Sequence, residues 1–223
     1  MLAGMFCAGV SAGLIAVRIE HRVRPMIQPG PCSPQQPLYE AEVLQQSRRT
    51  QQFNDVIVFL GDSQTVGFAT SNLAGRTENF GISGDTLEGL LTRVPRYQLA
   101  GAKAVVVEIG TNNLVQHQTA GFEEKYNRLL EMLPPKLTIT ALAVTPLTQA
   151  ASTEFKITTE SIKTLNDEIK SSCGQHINCH YLDLWHLLAL SDGSINSQYA
   201  EGDGLHLSTA GYRIWAREIT SER

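Results

Sequence analysis

Val56-Ile57-Val58-Phe59-Leu60-Gly61-Asp62-Ser63 is the stretch on which the reading of this chain turns. Five apolar residues without alternation suit a strand of a parallel sheet that is covered on both faces. Gly61-Asp62-Ser63 then breaks the run. A serine on a tight turn after a strand is exposed enough to attack a carbonyl. It is a poor nucleophile until a histidine takes its proton and a carboxylate orients that histidine. The same serine could equally cap the helix that follows, because Ser is a preferred N-cap.

The chain supplies the missing groups far away. Asp203-Gly204-Leu205-His206 lies near the carboxyl end, with an acid three residues before a histidine. A turn there lets Asp203 reach one imidazole nitrogen while the other takes the Ser63 proton. The competing bases are His21, His117, His176, His180 and His186. Of these, His180 and His186 flank a strand candidate and read as packing or surface residues. Without Ser63, the Asp203–His206 stretch would be an ordinary surface Asp-Gly turn.

Between the two motifs, apolar runs alternate with helical patterns. Strand candidates are 56–60, a short one at 79–80, 104–109, 137–144 and 180–184. Helix candidates run through 87–97, 122–133, 156–171 and 208–220, with a polar helix over 38–53. Strand and helix in alternation predict a three-layer α/β/α domain around a parallel sheet. Sites in such sheets lie at the carboxyl ends of the strands, and Ser63 falls there.

Two further segments complete a pattern. They are Asn79-Phe80-Gly81-Ile82-Ser83-Gly84-Asp85-Thr86 and Gly110-Thr111-Asn112-Asn113. With Ser63 and His206 they resemble the SGNH (GDSL-type) hydrolase family, whose name lists Ser, Gly, Asn and His in that order. The resemblance spans residue 55 to the carboxyl terminus, nearest in look to small esterases of the platelet-activating-factor acetylhydrolase and lysophospholipase kind. It implies a flavodoxin-like strand order and an esterase with catalytic Ser63, Asp203 and His206. It also implies an oxyanion hole made by the N–H groups of Ser63 and Gly81 and the Asn112 amide, with no metal or cofactor. Read alone, Gly81 is a turn glycine and Asn112 a loop asparagine. Asp62, Asn79, Asp85 and Thr111 read as loop supports. Gln64 and Asn113 depart from the commonest family pattern, where an aliphatic residue and an Asp are frequent. Gly81-x-x-Gly84 is not a dinucleotide fingerprint.

A small-molecule acyl ester is the expected substrate, with a lysophospholipid, a thioester or an acetylated carbohydrate within reach. The alternatives are acyl transfer to a sugar, which the same triad serves, and a catalytically idle binding domain. A net charge of −4 leaves no basic footprint for nucleic acid.

The amino terminus differs from the rest. Met1 to Val17 is uncharged and apolar, and a helix of that length spans roughly 25 Å against a hydrocarbon core of ~30 Å. Residues 1–24 are read as an uncleaved membrane anchor in preference to a signal peptide or a misassigned start, because no basic residue precedes the run and Arg18, Arg22 and Arg24 follow it in place of a clear cleavage site. Those arginines favour a cytoplasmic domain by the positive-inside rule, whereas an extracytoplasmic hydrolase needs the opposite bias. Prolines 25, 29, 31, 34 and 37 make residues 25–37 an extended linker, and the domain occupies 38–223. Cys7 sits in the apolar run and Cys32 in the linker. Cys173 and Cys179 are near enough in sequence to pair in an oxidising compartment, or stand as two free thiols.

Overall fold

The computed structural model describes residues 37–221. The anchor assigned to 1–24, His21, the linker up to residue 36, Cys7 and Cys32 lie outside the described residues. No helix among the described residues is long and apolar enough to cross a membrane. In chain order the elements are α1 (Pro37–Thr50), β1 (Val56–Gly61), α2 (Ser63–Gly67), β2 (Arg76–Gly81), α3 (Leu87–Arg93), β3 (Ala102–Glu108) and α4 (Thr111–Val115). They continue with α5 (Phe122–Glu131), β4 (Thr138–Leu142), α6 (Gln149–Phe155), α7 (Thr159–Gly174), β5 (Cys179–Leu182), α8 (Trp185–Leu188) and α9 (Thr209–Ser221).

The five strands form one sheet in the order β2-β1-β3-β4-β5, and every pair is parallel. This is the flavodoxin-like order expected from the sequence. All six residues of β1 are buried, because its alternate side chains enter two different cores. Val56, Val58 and Leu60 join Phe80, Val105 and Ile139 beneath side chains of α1, α3, α5 and α7. Ile57 and Phe59 join Val106, Leu142, Trp215 and Ile219 on the opposite face. Parallel strands require crossovers that put helices on both faces, so an unbroken apolar run and a three-layer sandwich are one fact seen at two scales.

Element boundaries moved where local chemistry outweighs periodicity. The expected helix over 87–97 ends as α3 at Arg93 and continues as a 3-10 turn over Val94–Arg96, since Pro95 has no N–H to extend an α-helical ladder. The helix expected from residue 156 begins at Thr159. Lys156 is left-handed and closes the short α6, which periodicity did not reveal, and Thr158 caps α7 in a reciprocal box with Ser161. Pro37, the last proline of the linker, is the first residue of α1, a position where its fixed φ suits a helix. Cys173 at the end of α7 and Cys179 at the start of β5 form a disulfide.

The register levels three strand ends. Gly61 lies opposite Gly81 of β2 on one side and Glu108 of β3 on the other. In this strand order the switch point falls between β1 and β3, where a crevice opens at the carboxyl edge of the sheet.

Candidate active site

Ser63 is the first residue of α2, directly after β1. Asp62 caps that helix and its Oδ1 accepts from the Gln64 N–H at 2.9 Å. His206 arrives from the loop before α9. Its Nε2 lies 2.8 Å from Ser63 Oγ, and its Nδ1 lies 2.6 Å from Asp203 Oδ2. The other Asp203 oxygen accepts from the N–H groups of Leu205 and His206 at 2.9 and 3.0 Å. One carboxylate therefore both folds the turn and faces the ring. Gly204 makes the turn possible, with φ +69°, and a Cβ there would stand 1.9 Å from Thr148 Oγ1.

The charges follow from the contacts. The hydrogen bond from His206 holds the Asp203 carboxyl well below the usual carboxylate range. That same bond raises the His206 pKa above its ordinary value, against the opposing effect of partial burial. An ionised Asp203 only accepts, so Nδ1 carries the proton and a neutral ring leaves Nε2 to accept from the Ser63 hydroxyl. The side chains of His206 and Asp203 remain 29% and 23% exposed, which leaves the pair open to a substrate.

Gly81 ends β2 against α2. A Cβ there would meet Val66 N at 2.5 Å and Asp62 O at 2.8 Å, so only glycine permits this approach. Its N–H donates to Asn79 Oδ1 at 2.9 Å, and the Asn79 amide in turn donates to the carbonyls of Thr65 and Phe68 at 2.6 and 3.0 Å. Asn112 lies in α4. Its Nδ2 donates to Asp62 Oδ2 at 3.1 Å and to the Asp85 carbonyl at 2.9 Å. The structure thus brings Ser63, Gly81 and Asn112 around the ends of β1, β2 and β3. Two of the three expected oxyanion donors already hold internal partners, and the Ser63 N–H has none among the described residues. Among the described residues no other histidine meets Ser63. His176 bonds Asn127 at 2.8 Å, and His117, His180 and His186 are exposed.

Several supporting residues were not singled out from the sequence as parts of the site. Arg93 is fully buried beneath it. Its guanidinium donates to Asp85 Oδ2 at 2.8 Å, to the Gly61 carbonyl at 3.0 Å, to Tyr97 Oη at 3.1 Å and to Gln46 Oε1 at 3.2 Å. Tyr39 of α1 reaches the other Asp85 oxygen at 3.3 Å. The signal was a charged residue on the apolar stripe Leu87, Leu90, Val94 and Tyr97. Glu108 ends the apolar strand β3 and is 1% exposed; burial, then the neighbouring Asp62 charge, push its carboxyl well above the usual range. Burial also raises Asp62, partly offset by the Gln64 N–H. Asn113 uses its whole amide, accepting from Leu87 N and donating to Glu88 Oε2 and the Gln118 carbonyl. An Asp at that position would meet Glu88 charge to charge. Among the described residues no group of three or more His, Cys, Asp or Glu side chains is placed to hold a metal.

The comparisons with known proteins agree on the fold. A protein of Streptococcus pneumonia named for platelet activating factor superposes with a TM-score of 0.70 at 20% identity, over 82% of this chain and 92% of that one. The lipase/acylhydrolase of Enterococcus faecalis gives 0.64 at 23% identity, over 75% and 94%. A GDSL-like lipase of Bacteroides thetaiotaomicron gives 0.63 at 18% identity, over 83% and 96%. No curated protein sequence matches. Residues 59–214 match the model of the GDSL-like lipase/acylhydrolase family, a span that runs from the end of β1 into α9 and contains Ser63, Gly81, Asn112, Asp203 and His206. The chain therefore belongs to the GDSL-like lipase/acylhydrolase family and is an ester-hydrolysing enzyme.

Proposed function

We propose that the protein cleaves small acyl esters through an acyl-enzyme on Ser63, with His206 as general base and Asp203 as its orienting carboxylate. The observation that carries this reading is the continuous relay from Ser63 Oγ through His206 to Asp203, at 2.8 and 2.6 Å. Ser63 Oγ attacks the ester carbonyl carbon as its proton passes to His206 Nε2. The carbon–oxygen bond to the leaving alcohol then breaks, and His206 returns the proton to that oxygen. Water attacks the acyl-enzyme, loses a proton to His206 and releases the carboxylic acid, and the proton goes back to Ser63 Oγ. Asp203 stabilises the imidazolium in both halves and stays ionised.

The oxyanion forms where the N–H groups of Ser63 and Gly81 and the Asn112 amide converge. In the free enzyme Gly81 and Asn112 are held by Asn79, Asp62 and Asp85. A developing negative oxygen is a stronger acceptor than the neutral amide of Asn79, so Gly81 exchanges or shares its partner as charge appears. Removing one such donor costs roughly a hundred- to a thousand-fold in turnover, which is the loss expected for Asn112→Ala.

Short acyl groups on a lipid or envelope hydroxyl are the proposed substrates. The catalytic domain is proposed to face an oxidising compartment, anchored by the apolar amino-terminal segment. The Cys173–Cys179 disulfide supports that side over the one the arginines favour. The test of the chemistry compares wild type with Ser63→Ala on p-nitrophenyl esters from acetate to palmitate. Hydrolysis lost in a folded mutant is expected, with an optimum at short chains. Equal hydrolysis by both proteins would remove Ser63 from the mechanism.

A further inference from the structure

Gln64 follows Ser63 directly, yet no step above uses its side chain. It is 1% exposed, and both the nitrogen and the oxygen of its amide are hydrogen-bonded. Nε2 donates to the Leu205 carbonyl at 2.8 Å. Oε1 accepts from the Leu207 N–H at 3.2 Å, and the Tyr212 hydroxyl lies 3.3 Å from Oε1 and 2.8 Å from the Gln64 main-chain oxygen. The two backbone groups that the amide reads flank His206 on either side. A primary amide offers a donor and an acceptor on one rigid plane, so it pairs with a C=O and the N–H two residues on as a neighbouring strand would. Besides the His206–Ser63 bond itself, these two are the hydrogen bonds joining α2 to segment 203–207 among the described residues.

We propose that Gln64 is a positioning residue, a two-point clamp that holds the His206 segment at a fixed distance from the nucleophile. The inference rests on the Ser63–His206–Asp203 reading. Asp203 shapes the loop from within, through contacts between near neighbours in sequence, and the Gly204 carbonyl accepts from the Thr148 N–H at 3.0 Å, which ties the loop to the segment before α6 and not to the nucleophile. Gln64 ties that loop to a helix 141 residues away. Its place in sequence matters, because the residue carrying the clamp is bonded to the residue carrying the nucleophile. Any drift of one loop against the other is therefore resisted at the reacting pair. Misplacement by about 1 Å can cost on the order of a hundredfold in rate. Replacing the amide by an apolar group of similar volume leaves the Leu205 carbonyl and the Leu207 N–H buried without partners, and the bonds that remain on the segment, from Thr148 N–H to the Gly204 carbonyl and from Glu201 N–H to the His206 carbonyl, do not reach α2.

The test uses the full chain and four variants, Gln64→Leu, Gln64→Glu, Tyr212→Phe and Ser63→Ala, with p-nitrophenyl acetate as substrate. For each, kcat, KM and Tm are measured. The rate of Ser63 phosphonylation by a p-nitrophenyl phosphonate is measured too, with the downfield NMR signal of the His206 Nδ1 proton. The clamp predicts that Gln64→Leu lowers kcat and phosphonylation together by about ten- to a hundredfold with KM nearly unchanged, and broadens the His206 signal. Gln64→Glu keeps the Leu207 bond, loses the Leu205 bond and falls in between, which preserves the test if the leucine variant does not fold. Tyr212→Phe loosens α9 and α2 while leaving both clamp bonds, so at a comparable loss of Tm it keeps kcat within about threefold. A folded Gln64→Leu enzyme with unchanged kcat, or one that loses activity only in step with Tyr212→Phe, overturns the clamp. Activity surviving in Ser63→Ala overturns the triad reading itself, an outcome separate from either result at residue 64.

Discussion

Asp203 meets His206 at 2.6 Å, and the direction of the resulting shift fixes a pH prediction. A raised His206 pKa means that the imidazolium persists to higher pH, so kcat/KM should fall on acidification through a limb lying above about 6.5, the unperturbed value. Asp203→Asn removes the charge that holds the proton. The limb should move down, and kcat should drop by roughly 10^4-fold, as when the orienting carboxylate of a triad is lost. A pH–rate profile of the two proteins checks both, and an unmoved limb would assign it to another group. Glu108 gives an opposite kind of signature. Its folded pKa is raised, so the folded chain keeps a proton that the unfolded chain loses above about 4.3. Stability from this group is fullest below that pH and declines as pH rises toward the folded value. Glu108→Gln removes the titration, so its stability relative to wild type should climb with pH from about 4.3 upward in urea melts. A constant difference across pH would mean that Glu108 does not ionise differently on folding.

At the scale of elements, α3 and α1 matter through one side chain. Arg93 joins α1, Tyr97, the loop after β2 and the end of β1, and its pair with Asp85 is fully buried. Arg93→Met would leave Asp85 without its counter-charge and should cost about 3–5 kcal/mol, read as a lower urea midpoint. Adding Asp85→Asn should recover part of that loss. The disulfide works at the junction of α7 and β5, six residues apart in sequence. Closing so short a loop is worth about 2 kcal/mol in the chain-entropy model, so Cys173→Ser should lower stability by that amount under oxidising conditions. Dithiothreitol should then lower wild type to the level of the mutant and leave the mutant unchanged. Element type was readable in the sequence wherever a long apolar pattern existed, as in β1, β3 and α5. Short helices such as α2, α4 and α6 were not, because caps and left-handed residues set them rather than periodicity.

Among the described residues, one sheet divides two cores and gathers the candidate site at a single edge. Five residues spread from 63 to 206 converge there because three strand ends are level and the last loop folds back onto α2. The compartment is a property of the whole protein as well. If the domain faces an oxidising side, Cys173 and Cys179 should resist maleimide labelling in intact cells until a reductant is added. Labelling without reductant would place the domain on the reducing side.

The sequence by itself determined the fold class and the strand order implied by the family pattern, and it named Ser63, Gly81, Asn112, Asp203 and His206 as the candidate site. Apolar runs, turn residues and motif order are local signals, written in adjacent residues. Only the tertiary structure decided that Cys173 and Cys179 pair, that Gly81 and Asn112 already hold partners, and that Arg93, Glu108 and Gln64 stand behind the site. Those facts depend on distances between residues remote in the chain. A buried polar side chain shows its purpose only when the groups that satisfy it are in view.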